Sequence, residues 1–175
     1  MTCIEKGIDH ELVPVAYRTA EHETLHPFRR IPILEVDGTM IFESLAITGY
    51  LDEAYPGPAL QPDAPVDRAR MRTWMGVCGD YLFREVVRAI PRDRPPTEAE
   101  LRTARGALER AEGLIDGDSF LVGSKVTLAD LYLAPQLANC REKAPELLDG
   151  LDGLTAWGRL VEDRESFART RPSQA

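Results

Sequence analysis

The chain is poor in cysteine, and its few cysteines lie far apart. Cys3, Cys78 and Cys140 are the only three, and they form neither a CxxC pair nor a spacing typical of metal ligands. A secreted domain that depended on disulfides would carry an even, closely spaced set. The cysteine pattern therefore predicts reduced thiols in a cytosolic environment.

The sequence also lacks long apolar runs and an excess of positive charge. No run approaches the ~18 apolar residues of a membrane span, and the N-terminus has no basic region followed by an apolar stretch. The formal net charge is −8 and the isoelectric point is about 5.0, whereas a nucleic-acid surface needs a positive field. We therefore expect a soluble cytoplasmic protein that binds neither membranes nor nucleic acid.

The short motifs that identify common catalytic sites are missing as well. There is no GxSxG, no HExxH and no phosphate-binding glycine loop, so neither a nucleophile with its base nor a metal site is predicted. His10 and His26 have no partner at metal or catalytic spacing and are interpreted as structural or solvated. Cys3 lies inside a predicted helix and is not predicted to be catalytic.

What the sequence contains divides at a proline-rich segment. Residues 55–67, YPGPALQPDAPVD, hold four prolines, which neither continue a helix nor donate to a sheet, so this segment is predicted to be a linker. Strand and helix signals alternate before it, and only helix signals follow it. We predict an α/β domain over residues 1–57 and an all-helical domain over residues 58–175.

The first half carries three strand-like segments and two helices. Asp37-Gly38 is a strong hairpin-turn signal, and Gly7 is typical of a helix end after Lys6. An amphipathic helix is predicted from Glu43 to Tyr55, before Pro56. The strand-like segments are Glu11–Val15, Ile33–Val36 and Met40–Phe42.

Apolar residues at three- and four-residue steps predict helices throughout the second half. A long helix is expected from Pro65 to Ile90, and a last helical region over residues 153–167. Two helix starts carry capping boxes, in which a threonine and an acidic residue three positions later satisfy each other's amides. These are Thr97 with Glu100 and Thr127 with Asp130.

Two dipeptides in HPFRRIPILEVDGTMIFES have the character of a ligand site. The Ile31-Pro32 bond is either cis, which would turn the Ile31 backbone toward an extended ligand, or an ordinary trans bond at a strand start. Glu43-Ser44 opens a helix after a strand, where amides and the helix dipole favour an anion. Ser44 would bind a carboxylate and Glu43 an ammonium group, unless the pair simply caps the helix.

Basic and imidazole side chains precede the Ile31-Pro32 turn. Arginines beside a ligand edge can hold a second carboxylate, which makes Arg29, Arg30 and His22 candidates. Taken singly, each is more often just a surface charge.

Three segments in this order resemble the cytosolic glutathione transferases: HPFRRIPILEVDGTMIFESLAITGYLDEAYPGPALQP, VTLADLYLAP and TAWGRLVEDRESF. The first looks most like phi-type or bacterial members. The resemblance covers nearly the whole chain and implies a thioredoxin-like domain, here without its first strand, followed by an all-helical domain. It also implies a homodimer and an enzyme of detoxification that joins glutathione, its co-substrate, to a small hydrophobic electrophile.

The resemblance further assigns roles to individual residues. Pro32 would be the family's cis-proline, and the Ile31 backbone would pair with the cysteinyl part of glutathione. Glu43 and Ser44 would hold the γ-glutamyl group. Arg30 and His22 fall where relatives bind the glycyl carboxylate, and the candidates for the electrophile pocket are Met75, Cys78, Tyr81 and Leu82.

In the family, a first strand and most of a first helix precede the sequence that resembles CIEKGIDHELVPV. The resemblance therefore places the thiol-activating Ser, Tyr or Cys upstream of Met1, so that no catalytic residue is expected within the 175 residues. We expect Met1 to be an internal methionine of a longer protein. The alternative is a genuine short form whose Glu11–Val15 strand is detached or paired differently.

Two other functions are compatible with these residues. A non-catalytic binding or scaffold module of the same fold would suit the absent catalytic segment, although a pure scaffold has no need of a γ-glutamyl site. A relative that acts on small acids through glutathione, such as an isomerase or a dehalogenase, is a third possibility that no residue selects.

Overall fold

A computed structural model describes residues 1–91 and 94–171 of the chain. It divides into two compact units, Thr2–Pro58 and the residues from Ala59 onward. The first unit combines short helices with a two-stranded sheet, and the second is entirely helical. The predicted fold class is confirmed: a small α/β unit is followed by an all-helical unit.

The first unit holds three helices and one hairpin. Asp37 and Gly38 both adopt positive φ angles, of 48° and 75°, as a tight hairpin turn of this kind requires. The hairpin was therefore predicted correctly, and its second strand begins at Thr39, one residue earlier than expected. The elements are α1 (Thr2–Lys6), α2 (Ala20–Leu25), β1 (Ile33–Val36), β2 (Thr39–Phe42) and α3 (Ser44–Ala54).

The predicted strand at Glu11–Val15 is wrong. This segment contains no regular secondary structure, and Leu12 and Val13 are 85% and 71% exposed. Pro14 in the middle of the segment has no N–H to donate to a sheet. A β-prone sequence forms a strand only where a partner completes its hydrogen bonds.

A buried ion pair connects α1 and α3 within this unit. The Lys6 ammonium lies 2.9 Å from the Asp52 carboxylate, and the two side chains are only 2% and 6% exposed. Lys6 also donates to the carbonyl of Pro58 at 3.2 Å. The helix end predicted at Lys6 is confirmed by Gly7, which follows it at a φ of 67°.

The second unit buries one continuous apolar core between its helices. Its first helix, predicted as one long α-helix, changes type: α4 ends at Gly76 and an unusual π-helix continues to Val87, with Arg88 N–H donating to the Phe83 carbonyl at 3.0 Å. The elements are α4 (Pro65–Gly76), the π-helix (Val77–Val87), α5 (Glu98–Glu112), α6 (Leu128–Lys143), a 3₁₀ helix (Pro145–Leu148), α7 (Asp152–Glu162) and α8 (Glu165–Thr170).

Both predicted capping boxes are present. Thr97 and Glu100 start α5 at the surface, and Thr127 and Asp130 start α6 inside the core. The Asp130 carboxylate also accepts from the Trp157 indole at 2.7 Å, so this helix start is tied to α7. Among the described residues, no helix is long and apolar enough to cross a membrane.

Candidate functional site

The hairpin register brings the two predicted ligand-binding dipeptides together. Ile33 at the start of β1 pairs with Phe42 at the end of β2. Ile31-Pro32 directly precedes this pair on one strand, and Glu43-Ser44 directly follows it on the other. The two dipeptides therefore lie side by side at one end of the sheet. The Ile31-Pro32 bond, which the residues alone left open, is cis, and Ile31 is 66% exposed.

The turn before Ile31 is fastened to β2 by a buried histidine. The His26 ring packs against the Phe42 ring with a centroid distance of 4.6 Å. Its Nδ1 accepts from the Phe28 N–H at 3.1 Å, and its carbonyl accepts from the Arg29 N–H at 2.8 Å. His26 is fully buried, so its interpretation as a structural residue is confirmed.

The start of α3 offers unpaired amides beside an exposed carboxylate. The first bond of the helix runs from the Ile47 N–H to the Glu43 carbonyl at 3.0 Å, so the amides of the first three residues have no acceptor within the helix. Glu43 is exposed and its side chain makes no capping bond. Simple capping by Glu43 is therefore not what the geometry shows. An anion would meet the amides, and a cation would meet the Glu43 carboxylate.

A basic cluster with a phenol lies at the other side of Ile31, and sequence reasoning missed most of it. The Arg30 guanidinium, and next that of Arg18, hydrogen-bond the Tyr17 phenol and lower its pKa below the usual value. The Arg18 guanidinium also lies 5.2 Å from the centre of the Tyr17 ring. We call Tyr17, Arg18 and Arg30 the phenol–arginine cluster.

One local signal could have found this cluster. Thr19 caps α2 by accepting from the His22 N–H at 3.2 Å, and threonine is a favoured residue at this position. A helix start at Thr19 places Tyr17 and Arg18 in the turn that leads into it.

His22, by contrast, is not exposed to a ligand. Its side chain is fully buried, its Nδ1 accepts from the Arg18 N–H at 3.1 Å, and its Nε2 lies 2.9 Å from the Arg30 carbonyl. A carbonyl can only accept, so Nε2 carries the ring proton and both ring nitrogens are used. In this arrangement His22 contacts the backbone of the cluster.

Backbone strain is concentrated around these residues. In the described part of the chain, four residues other than glycine have positive φ angles. Asp37 belongs to the hairpin turn, while Arg18, Arg29 and Glu43, at 64°, 51° and 71°, flank the candidate site. Such conformations are costly and persist where surrounding contacts enforce them, which is often at binding sites.

In the helical unit, the predicted electrophile-pocket candidates differ in exposure. Met75, Cys78 and Leu82 are at most 3% exposed and belong to the core, so they line no surface of this unit. Tyr81 on the π-helix is 58% exposed and is the one of the four that a ligand could contact. No group of His, Cys, Asp and Glu within residues 1–91 and 94–171 could hold a metal ion.

Sequence comparison gives two matches to family profiles. Residues 1–54 match the glutathione S-transferase N-terminal domain, and residues 75–165 match the glutathione S-transferase C-terminal domain. The second match alone spans more than half of the chain.

Individual relatives agree with these matches. Maleylacetoacetate isomerase of Pseudomonas aeruginosa is 34% identical over 184 residues, covering 96% of this chain and 86% of the relative. Glutathione S-transferase F14 of Arabidopsis thaliana is 31% identical over 192 residues, covering 96% and 76%. The crystal structure of glutathione transferase F7 from Populus trichocarpa superposes with a TM-score of 0.84 at 22% identity, covering 96% of this chain and 88% of that one; this shows the shared fold.

Proposed function

Because this chain belongs to the glutathione S-transferase family, whose enzymes use glutathione as co-substrate, we propose that it binds glutathione along the Ile31 edge and serves its conjugation to a small hydrophobic electrophile. The observation that carries the proposal is the order of the groups along this edge. The phenol–arginine cluster, the Ile31 backbone and Glu43-Ser44 follow one another. Glycyl, cysteinyl and γ-glutamyl groups follow one another in the same way in glutathione.

Each part of the tripeptide meets complementary chemistry. The α3 amides and the Ser44 hydroxyl suit the γ-glutamyl carboxylate, and the Glu43 carboxylate suits its ammonium group. The Ile31 backbone suits the extended cysteinyl residue as an added strand would. The glycyl carboxylate would be held by Arg18 and Arg30 together with the Tyr17 hydroxyl, rather than by a direct contact with His22.

Binding is best tested separately from thiol chemistry. S-methylglutathione has the same two carboxylates and ammonium group but no thiol to activate, so its affinity reports the binding edge alone. At about 100 times its dissociation constant, a ligand stabilises the folded chain by ~2.7 kcal/mol, which would raise the melting temperature by several degrees. A melt that S-methylglutathione leaves unmoved would overturn the proposal.

A matched pair of variants would locate the bound ligand. Glu43→Gln removes the charge that faces the ligand ammonium and should weaken binding about tenfold or more, or ~1.4 kcal/mol. Glu53→Gln changes an exposed carboxylate near the far end of α3 and should leave the affinity within twofold. If both variants weakened binding equally, the loss of affinity would reflect the net charge of the chain and not a contact with Glu43.

Turnover would separate the alternatives. Conjugation of 1-chloro-2,4-dinitrobenzene supports the transferase, whereas binding without turnover of any electrophile supports the non-catalytic module.

The isomerase is a second candidate, favoured by the similarity to maleylacetoacetate isomerase of Pseudomonas aeruginosa. In that case glutathione would add to a cis double bond and leave again, and the acid would be released as its trans isomer. The assay is the cis-to-trans conversion of maleylacetoacetate with catalytic glutathione. Consumption of glutathione in proportion to product would indicate conjugation instead.

Two further properties belong to this proposal: a cytoplasmic location, in keeping with the reduced thiols, and a homodimer. Light scattering coupled to gel filtration measures the mass directly against the 19.5 kDa of one chain.

A further inference from the structure

His22 is a fully buried side chain that contacts two members of the phenol–arginine cluster. Its Nδ1 accepts from the Arg18 N–H at 3.1 Å and its Nε2 donates to the Arg30 carbonyl at 2.9 Å. The Tyr17 ring lies 5.5 Å from the His22 ring. One imidazole thus joins two arginines that are twelve positions apart in the sequence.

We propose that His22, as the neutral Nε2–H tautomer, is a positioning residue that aims Arg18 and Arg30 at the glycyl carboxylate of glutathione. This inference rests on the proposed glutathione site and deepens it. His22 does not touch the ligand. It sets the backbone from which the two guanidinium groups and the Tyr17 hydroxyl extend.

The conformation of Arg18 gives this contact its importance. Arg18 has a φ of 64°, a region that residues with a Cβ rarely adopt. The bond from its N–H to His22 Nδ1 is one contact that opposes relaxation to negative φ. If that bond is lost, the peptide can rotate and the Arg18 side chain leaves the Tyr17 ring.

The helix that carries His22 is fixed to the same loop by a second contact. Thr19 accepts from the His22 N–H at 3.2 Å and donates to the Ala16 carbonyl at 2.9 Å. The loop before α2, the helix itself and the Arg30 segment therefore meet at one ring. The imidazole is suited to this place because a neutral ring offers one acceptor and one donor on opposite sides.

The test compares two ligands that differ only at the glycyl end. Glutathione and its glycyl monoethyl ester share the same tripeptide, but in the ester an uncharged ethyl ester replaces the glycyl carboxylate. We expect the wild-type chain to bind glutathione about tenfold more tightly than the ester. His22→Phe keeps the ring shape without donor or acceptor, and should reduce this ratio to about twofold or less while leaving the affinity for the ester nearly unchanged.

A second variant keeps the test decisive if His22→Phe does not fold. In His22→Gln, the amide N–H can still donate to the Arg30 carbonyl while the acceptor for Arg18 is displaced, so an intermediate ratio is expected. His10→Phe removes an exposed histidine that also bonds a backbone carbonyl, and should leave the ratio at its wild-type value. In the wild type, ¹⁵N shifts should show a protonated Nε2 and an unprotonated Nδ1 for His22.

The outcomes separate this inference from the function on which it rests. A folded His22 variant that retains the full tenfold ratio overturns the positioning role and leaves glutathione binding intact. A wild-type ratio near one overturns the assignment of the cluster to the glycyl carboxylate. If the wild type binds neither ligand, the proposed function fails and the positioning role fails with it.

Discussion

Replacing Asp130 by asparagine should destabilise the helical unit far more than its small change in shape would imply. The carboxylate is fully buried. One oxygen accepts from the Leu121 N–H at 2.9 Å and the Trp157 indole at 2.7 Å. The other accepts from the Thr127 N–H at 2.7 Å and the Thr127 hydroxyl at 2.8 Å.

Asparagine cannot replace these four bonds in either orientation. In one orientation, its amide NH2 group would face the Leu121 N–H and the Trp157 indole N–H, which are both donors. In the other orientation, the NH2 group would face the Thr127 N–H and the Thr127 hydroxyl, and of these only the hydroxyl can rotate to accept a hydrogen bond. At least one buried N–H is then left without an acceptor, at a cost of ~1–3 kcal/mol. The remaining bonds also lose their charge, which roughly halves their strength. We expect a total loss of ~3–5 kcal/mol out of a typical 5–15 kcal/mol.

Urea unfolding followed by tryptophan fluorescence measures this loss directly. The matched control is Glu100→Gln, because Glu100 accepts from the Thr97 N–H at 2.7 Å and the Thr97 hydroxyl at 2.9 Å in a capping box of the same design at the surface. Water can replace those bonds, and the Arg94 ion pair that this change also weakens lies at the surface, where such pairs contribute little, so a much smaller loss is expected. Similar losses in the two variants, or a loss below ~1 kcal/mol for Asp130→Asn, would refute the reasoning.

Three further results are expected. Lys6→Met leaves the Asp52 carboxylate buried without its 2.9 Å ion-pair partner and should lower the free energy of unfolding in urea by ~3–5 kcal/mol. The double variant with Asp52→Leu should recover most of this loss. No recovery would mean that the broken ion pair is not the cause of the loss. Arg94 holds the pKa of Glu100 at about 2. The contribution of this carboxylate to stability is therefore complete above the ordinary pKa of 4.5 and is lost as the pH falls through about 2. NMR titration of the Arg94→Ala variant should show a higher pKa for Glu100, and an unchanged pKa would contradict this cause. Burial raises the pKa of the Cys78 thiol to about 12, so a thiol reagent at pH 8 should label it only after unfolding, and rapid labelling of the folded chain would disprove its burial.

Local patterns predicted the parts of the fold that local contacts determine. The hairpin depends on two turn residues at positive φ, and Asp37-Gly38 is a pair that adopts this conformation readily. The capping box at Thr127 depends on groups within four positions of one another. The third role of Asp130, as acceptor for the Trp157 indole, joins residues that are 27 positions apart, and the sequence carries no signal for it.

The strand prediction failed at Glu11–Val15 for the same reason. The sequence ELVPV has the composition of a strand, but a strand exists only where another supplies its hydrogen bonds. In the structure, the segment runs without regular secondary structure, with Leu12 and Val13 exposed. The composition of the segment favours a strand, but no strand forms because no other strand within the described residues pairs with it in the structure.

The sequence predicted those parts of the candidate site that the hairpin brings together, and it missed the parts that come from more distant segments of the chain. Ile31-Pro32 and Glu43-Ser44 are joined by a hairpin that the sequence predicts, so their proximity follows from the register. Arg18, which follows Tyr17, adopts a φ of 64°, and an arginine at that position gives no signal of a left-handed backbone. Without that signal, His22 near Arg29 and Arg30 is interpreted as a residue that contacts the ligand. Both ring nitrogens of His22 bond backbone groups, so in the proposed function the glycyl carboxylate is assigned to the phenol and the two guanidinium groups instead.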